Sequence, residues 1–170
     1  MKPRELVKNY RGKEGSMVKL LLDTTYLLPV FGVSVKLKRF DEVFPRLINE
    51  YSLLYNPVSI IEAKWLIISQ SRRNPSKREI LLKRFRKGLR TLLNDKRISQ
   101  TDLTNPEIEE IADNLLVRFK IRDYFDRIIY ATAVYYNVTL LTEDEELHGL
   151  AGKEHVPKPK KILKWNDMLR

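Results

Sequence analysis

No cysteine occurs among the 170 residues. That excludes disulfides, zinc ribbons, iron–sulfur clusters and thiol nucleophiles. Histidine is nearly as scarce, with only His148 and His155, so a metal site built on imidazoles has too few ligands. No segment reaches the roughly 18 consecutive apolar residues that would span a bilayer. The first 16 residues, MKPRELVKNYRGKEGS, are charged throughout and hold no apolar core of the kind a secretion signal needs. Neither a Walker A loop nor G-x-G-x-x-G is present, which lowers both nucleotide-binding readings. These absences predict a cytoplasmic protein with no membrane partner.

Positive charge is plentiful: 32 Lys and Arg against 22 Asp and Glu, a formal net charge of +10. Such a balance points to a polyanionic partner, most often nucleic acid. The chain is long enough for one domain with a real core, and its 43% hydrophobic content is that of a folded protein. Residues 1–16 read as a basic N-terminal extension and 17–170 as a single domain.

Apolar runs and helical periodicities alternate along that domain. MVKLLLD from Met17 predicts a first strand. TTYLLPVFG predicts a short helix cut off by Pro29 and Gly32, and FDEVFPRLINEY a helix with Asp41 as N-cap. SLLYN is a second strand. SIIEAKWLIISQSR is a helix opening on a Ser59–Glu62 capping box, and PSKREILLKRFRKGLRTLLNDKR a helix opening on the same pattern, Ser76–Glu79. ISQTDL is short and extended. NPEIEEIADNLLVRF carries Asn105 at the cap and Pro106 at the first helical position. DYFDRIIYATAVYYN has Asp123 as cap and Asn137 as stop. VTLLT is a buried strand, EDEELHG a helical turn with Thr142–Glu145 as a further capping pattern, and KKILKW the last strand. Strand–helix alternation of this kind predicts a three-layer α/β/α sandwich around a mostly parallel sheet.

Sites in such sheets form outside the carboxyl ends of the strands. Two strands end in acid, KLLLD at Asp23 and TLLTED at Asp144. Glu62 and Asp126 each fall in the first turn of a helix. If the four meet, their mutual repulsion favours protonation unless a cation intervenes, and hard oxygen ligands select Mg²⁺ or Mn²⁺. Each acid also has a structural reading. Asp23 is placed to cap the next helix, and Glu62 to complete a capping box. Asp126 suits a helix dipole, and Glu143–Glu146 reads as a solvated face. The joint placement, not any one residue, carries the chemistry. A haloacid-dehalogenase site would need an Asp where Thr25 stands, and the acidic pair and late lysine of a receiver domain are not evident.

LLLDTTYLL, SIIEAKW and DRIIYATAVYYNVTLLTEDEEL together resemble a PIN-domain ribonuclease, over about residues 17–169. The DRIIYATA and LLTED pair is the specific part. The resemblance implies a catalytic set of Asp23, Glu62, Asp126 and Asp144, with Asp23, Asp126 and Asp144 as ligands of Mg²⁺ or Mn²⁺. It implies that Thr25 and Thr142, with Thr24, orient water. It implies endonucleolytic hydrolysis of RNA, either as the toxin of a toxin–antitoxin pair with an antitoxin partner or as an RNA-processing nuclease, and homodimer formation as a family habit. The rival is a PIN-fold RNA- or protein-binding module without turnover. Thr25 departs from the Asn or Ser frequent at its position.

Residues 72–97 carry eleven Lys and Arg against two acids. Lys83, Arg86, Lys87 and Arg90 fall on one side of a helix. They read as an electrostatic track for RNA phosphates, or else as a solvated face. Trp65 and Trp165 read as core or interface residues.

Overall fold

A computed structural model describes residues 17–170, so the N-terminal extension lies outside the described residues. At its centre stands β1 (Lys19–Leu22), whose three leucines are wholly buried. It pairs on one side with β2 (Ser52–Tyr55) and on the other with β4 (Thr139–Leu141). β3 (Ile98–Gln100) and β5 (Lys161–Leu163) complete the sheet, in the order β3-β2-β1-β4-β5 with all four pairings parallel. A strand buried on both faces needs apolar side chains in succession, and β1 and β4 read that way.

Alternation splits the core in two. Leu20 and Leu22 face one layer, which includes Phe31, Ile67, Phe85 and Trp165. Leu21 and Leu140 face the other, with Ile108, Leu115 and Ile129. The first layer is built from α1 (Phe40–Glu50), much of α2 (Val58–Arg73) and α3 (Arg78–Asn94). The second is built from α4 (Pro106–Phe119), α5 (Tyr124–Tyr135) and the short α6 (Glu145–Gly149). The result is the expected three-layer sandwich.

The chain winds outward from β1 to β2 and β3, then returns to β4 and β5 on the far side. The carboxyl ends of β1 and β4 therefore flank a topological switch point, where open parallel sheets form their crevice. Leu22 pairs with both Tyr55 and Leu141, so Asp23, Asn56 and Thr142 leave the sheet at one level.

Local signals were right where the cap was an Asn or Asp directly before the helix. Asn105 accepts from Ile108 N at 2.9 Å. Asp123 accepts from Phe125 N and Asp126 N, and Asn137 ends α5 with φ 49°. The capping boxes fail. α2 is capped by the Asn56 side chain, which accepts from Val58 N at 2.8 Å, while Ser59 Oγ is buried without a partner. Ser76 bonds to Asn74 instead of capping α3. Asp144, not Thr142, caps α6. Asp41 lies inside the first turn of α1, whose cap is Arg39 in a left-handed conformation. TTYLLPVFG is two 3₁₀ turns, Thr24–Tyr26 and Leu28–Phe31. Pro29 opens the second one instead of breaking a helix.

Candidate functional site

Asp23 leaves β1 at the switch point and is 7% exposed. Its Oδ1 accepts from Thr24 N at 2.6 Å, and its Oδ2 accepts from the Thr142 hydroxyl at 2.6 Å. The same hydroxyl accepts from Asp144 N at 3.1 Å. Thr142 thus ties the acid after β1 to the acid after β4. Asp144 Oδ1 in turn accepts from Leu147 N at 2.8 Å, which fixes its rotamer at the start of α6.

Glu62 arrives from α2. Its Oε2 accepts the Thr24 hydroxyl at 2.5 Å, so the residue after Asp23 holds the acid contributed by a different element. Asp126 arrives from α5 and feels the charges of Asp23, Asp123, Asp144 and Glu62. All four predicted acids therefore share one electrostatic neighbourhood, and Asp123 joins them as a fifth. Among the described residues, none of these five makes a salt bridge.

Burial and neighbouring acids raise the proton affinity of three of these acids, Asp126, Glu62 and Asp23. Burial first, then the surrounding acids, pushes Asp126 up to about 8. Burial and the charges of Asp23 and Asp123 raise Glu62 to about 7 against the lowering effect of the Thr24 hydroxyl. Burial also raises Asp23, although Thr142 and the Thr24 N–H oppose it. An all-oxygen, net-negative donor set suits a hard divalent cation. As the side chains stand, no three His, Asp or Glu among the described residues form a group able to ligate an ion. The chemistry of the donors fits such an ion.

Other expected residues divide between core and surface. Thr25 is half-buried beside Thr24. Lys83, Arg86, Lys87 and Arg90 are all exposed on α3. Trp165 is core at 1% exposure, stacked between Tyr26 and Phe40, whereas Trp65 is 58% exposed and not core. The acidic run after β4 is not one solvated face. Glu143 Oε1 accepts both the Tyr26 hydroxyl at 2.7 Å and Trp165 N at 2.6 Å, and Glu145 pairs with Lys164. Sequence reading missed the linking role of Thr24 and the inward turn of Glu143. The D-x-x-D spacing of Asp123 and Asp126 was the available signal for the fifth acid.

A hollow of about 520 Å³ lies elsewhere, between the Leu28–Phe31 turn and the start of α1, and none of the five acids lines it. The acids occupy a sheet edge instead of that hollow.

The fold and this edge define an α/β protein with a carboxylate cluster at the switch point of a parallel sheet. A family model for the PIN domain matches residues 20–153. The chain belongs to the PIN domain family, whose members are generally nucleases. Solved structures of similar fold include VapBC2 from Rickettsia felis bound to a DNA fragment from its promoter, at 15% identity and TM-score 0.59, covering 87% of this chain and 99% of that one. PAE2754 from Pyrobaculum aerophilum matches at 16% identity and TM-score 0.55, over 91% and 96% of the two chains. DNA-bound VapBC from Salmonella typhimurium matches at 16% and 0.53, over 88% and 99%. No curated protein matches. Among the described residues no helix is long and apolar enough to cross a membrane.

Proposed function

We propose that this protein is a Mg²⁺- or Mn²⁺-dependent endoribonuclease that hydrolyses RNA phosphodiester bonds. The observation that carries the reading is the set of acids from four separate elements meeting at the switch point, without a basic partner among the described residues. Asp23, Asp126 and Asp144 would hold the ion, with Glu62 adding charge. When bound, such an ion lowers the pKa of a coordinated water and offsets charge on the phosphoryl oxygens.

The chain's own contribution is placement. Thr142 holds Asp23 and Asp144 to each other, and Thr24 holds Glu62. Thr25, half-buried next to this pair, is the side chain left to orient water. Attack of water on phosphorus with loss of the 3′-oxygen leaves a 5′-phosphate on one product and a 3′-hydroxyl on the other. Lys83, Arg86, Lys87 and Arg90 supply a phosphate track on α3. The fold shared with VapBC structures favours a toxin role with an antitoxin partner over RNA processing.

The purified protein should cleave unstructured RNA with Mg²⁺ or Mn²⁺, stop with EDTA, and lose at least a hundredfold in rate on Asp23→Asn. Cleavage that survives this substitution unchanged, or no cleavage under any metal, overturns the reading; the second result leaves the binding-module alternative. Growth arrest on expression, relieved by Asp23→Asn, tests the toxin role.

A further inference from the structure

We infer that the exposed face of α2 is a subsite for single-stranded RNA, in which the Trp65 indole stacks on an unpaired base beside the acid cluster. This rests on the nuclease reading and extends it to how the substrate is held.

α2 starts at the acid edge, fastened there by Asn56 at its first turn and by the Thr24–Glu62 hydrogen bond at its second. Ser59, Ala63, Ile67 and Ser71 recur every fourth residue and are buried. On the other side Ile61, Trp65, Leu66, Ser69 and Arg72 are exposed. Glu62 and Trp65 are three residues apart, so they are neighbours on the helix surface, about 4.5 Å apart along its axis. A tryptophan is among the most buried residues on average, yet this one leaves 58% of its surface open. Its packing does not account for it.

The side chains beyond Trp65 along the helix decide the occupant. The face runs from a carboxylate to an indole and the Leu66 side chain, then to a hydroxyl, then to the guanidinium groups of Arg72 and Arg73. Arg72 stands about 15 Å from Glu62 along the axis. An aromatic platform leading into cations is how proteins take unpaired nucleic acid, the ring holding a base and the cations the backbone. A second copy of the chain would instead need an apolar seam along the helix; Ile61, Trp65 and Leu66 supply apolar surface only at its start, and the face then passes to Arg72 and Arg73, whereas charged residues are depleted from the core of such contacts. Two chains of net charge +10 also repel each other. RNA is the partner this charge complements.

The test uses full-length protein carrying Asp126→Asn, in Mg²⁺, with a fluorescent single-stranded oligoribonucleotide and its fully paired duplex. Trp65→Ala should weaken binding of the single strand by about five- to a hundredfold. It should change duplex binding less than twofold, and Trp65→Phe should recover most of the loss. Indole emission should be quenched on adding the single strand to the Asp126→Asn protein but not to the same protein carrying Trp65→Phe, whose remaining indole, Trp165, is buried. Unchanged single-strand affinity in Trp65→Ala, with wild-type cleavage intact, overturns the subsite and leaves the nuclease reading standing. Neither binding nor cleavage by the wild type overturns both. Sedimentation showing that Trp65→Ala turns a dimer into a monomer, with RNA affinity unchanged, assigns the face to a second copy and overturns the proposal.

Discussion

Asp126 has no basic partner among the described residues, and its neighbours are acids. A carboxyl raised from 3.8 to about 8 binds its proton more tightly folded than unfolded. Between those values the native state carries more protons than the unfolded one, so stability falls as pH rises through the window. Asp126→Asn removes this dependence. Allowing for solvent screening of a half-buried group, the variant should melt about 2–4 °C above wild type at pH 8.5, roughly 1 kcal/mol, and no higher at pH 4. Scanning calorimetry at the two pH values, without divalent metal, checks it. Thr24 makes a second residue-level claim. Its hydroxyl lowers the Glu62 pKa, so Thr24→Val should lift Glu62 above about 7 while Thr24→Ser leaves it in place. A carboxyl-carbon NMR titration reads the difference directly. The acids themselves were legible in the sequence, because each follows a strand or opens a helix. The hydroxyls that connect them were not, because a hydrogen bond between residues 24 and 62 leaves no local pattern.

Among elements, α3 shows how propensity and packing disagree. Gly88 sits mid-helix, where alanine is ordinarily better by about 1 kcal/mol. Here a Cβ would lie 2.1 Å from the Val30 carbonyl oxygen, since α3 rides directly on the Leu28–Phe31 turn. Gly88→Ala should therefore destabilise by about 1–3 kcal/mol, a fall in Tm of roughly 2–12 °C for a chain this size. A rise in Tm would show that the turn yields. That turn continues the segment leaving Asp23, so the same variant should reduce any cleavage more than its stability loss explains. Element types were readable from periodicity, yet three S/T-x-x-E patterns failed as caps. At each one an Asn or Asp nearby, or a demand from elsewhere in the fold, took over. Asn56 is the clearest case: besides capping α2 it donates to Asp102 O, Leu103 O and the Thr132 hydroxyl. A buried amide with that many distant partners is invisible to a window of four residues.

For the whole molecule, two charged regions stand apart. The five site acids collect at one sheet edge, while α3 carries cations that are exposed and, at Lys83, Arg86, Lys87 and Arg90, on one side. RNA binding should weaken with salt, and replacing these four by alanine should reduce the log–log slope by about 3, taking roughly 0.7 per phosphate contact for single strands. A slope unchanged within about 0.5 would make α3 a solvated face. The parallel sheet was legible from alternation alone. The strand order was not, since no local signal says that residue 20 pairs with residue 139.

That pairing has a consequence for synthesis. β1 leaves the ribosome well before its partner, since the strand that brings Asp144 beside it comes 119 residues later, at the Leu20↔Thr139 register. Contacts this remote form only after the intervening loop has closed. Under the proposed activity, a nascent chain is harmless to the message being translated, and the blade is fitted only when most of the handle has already been made.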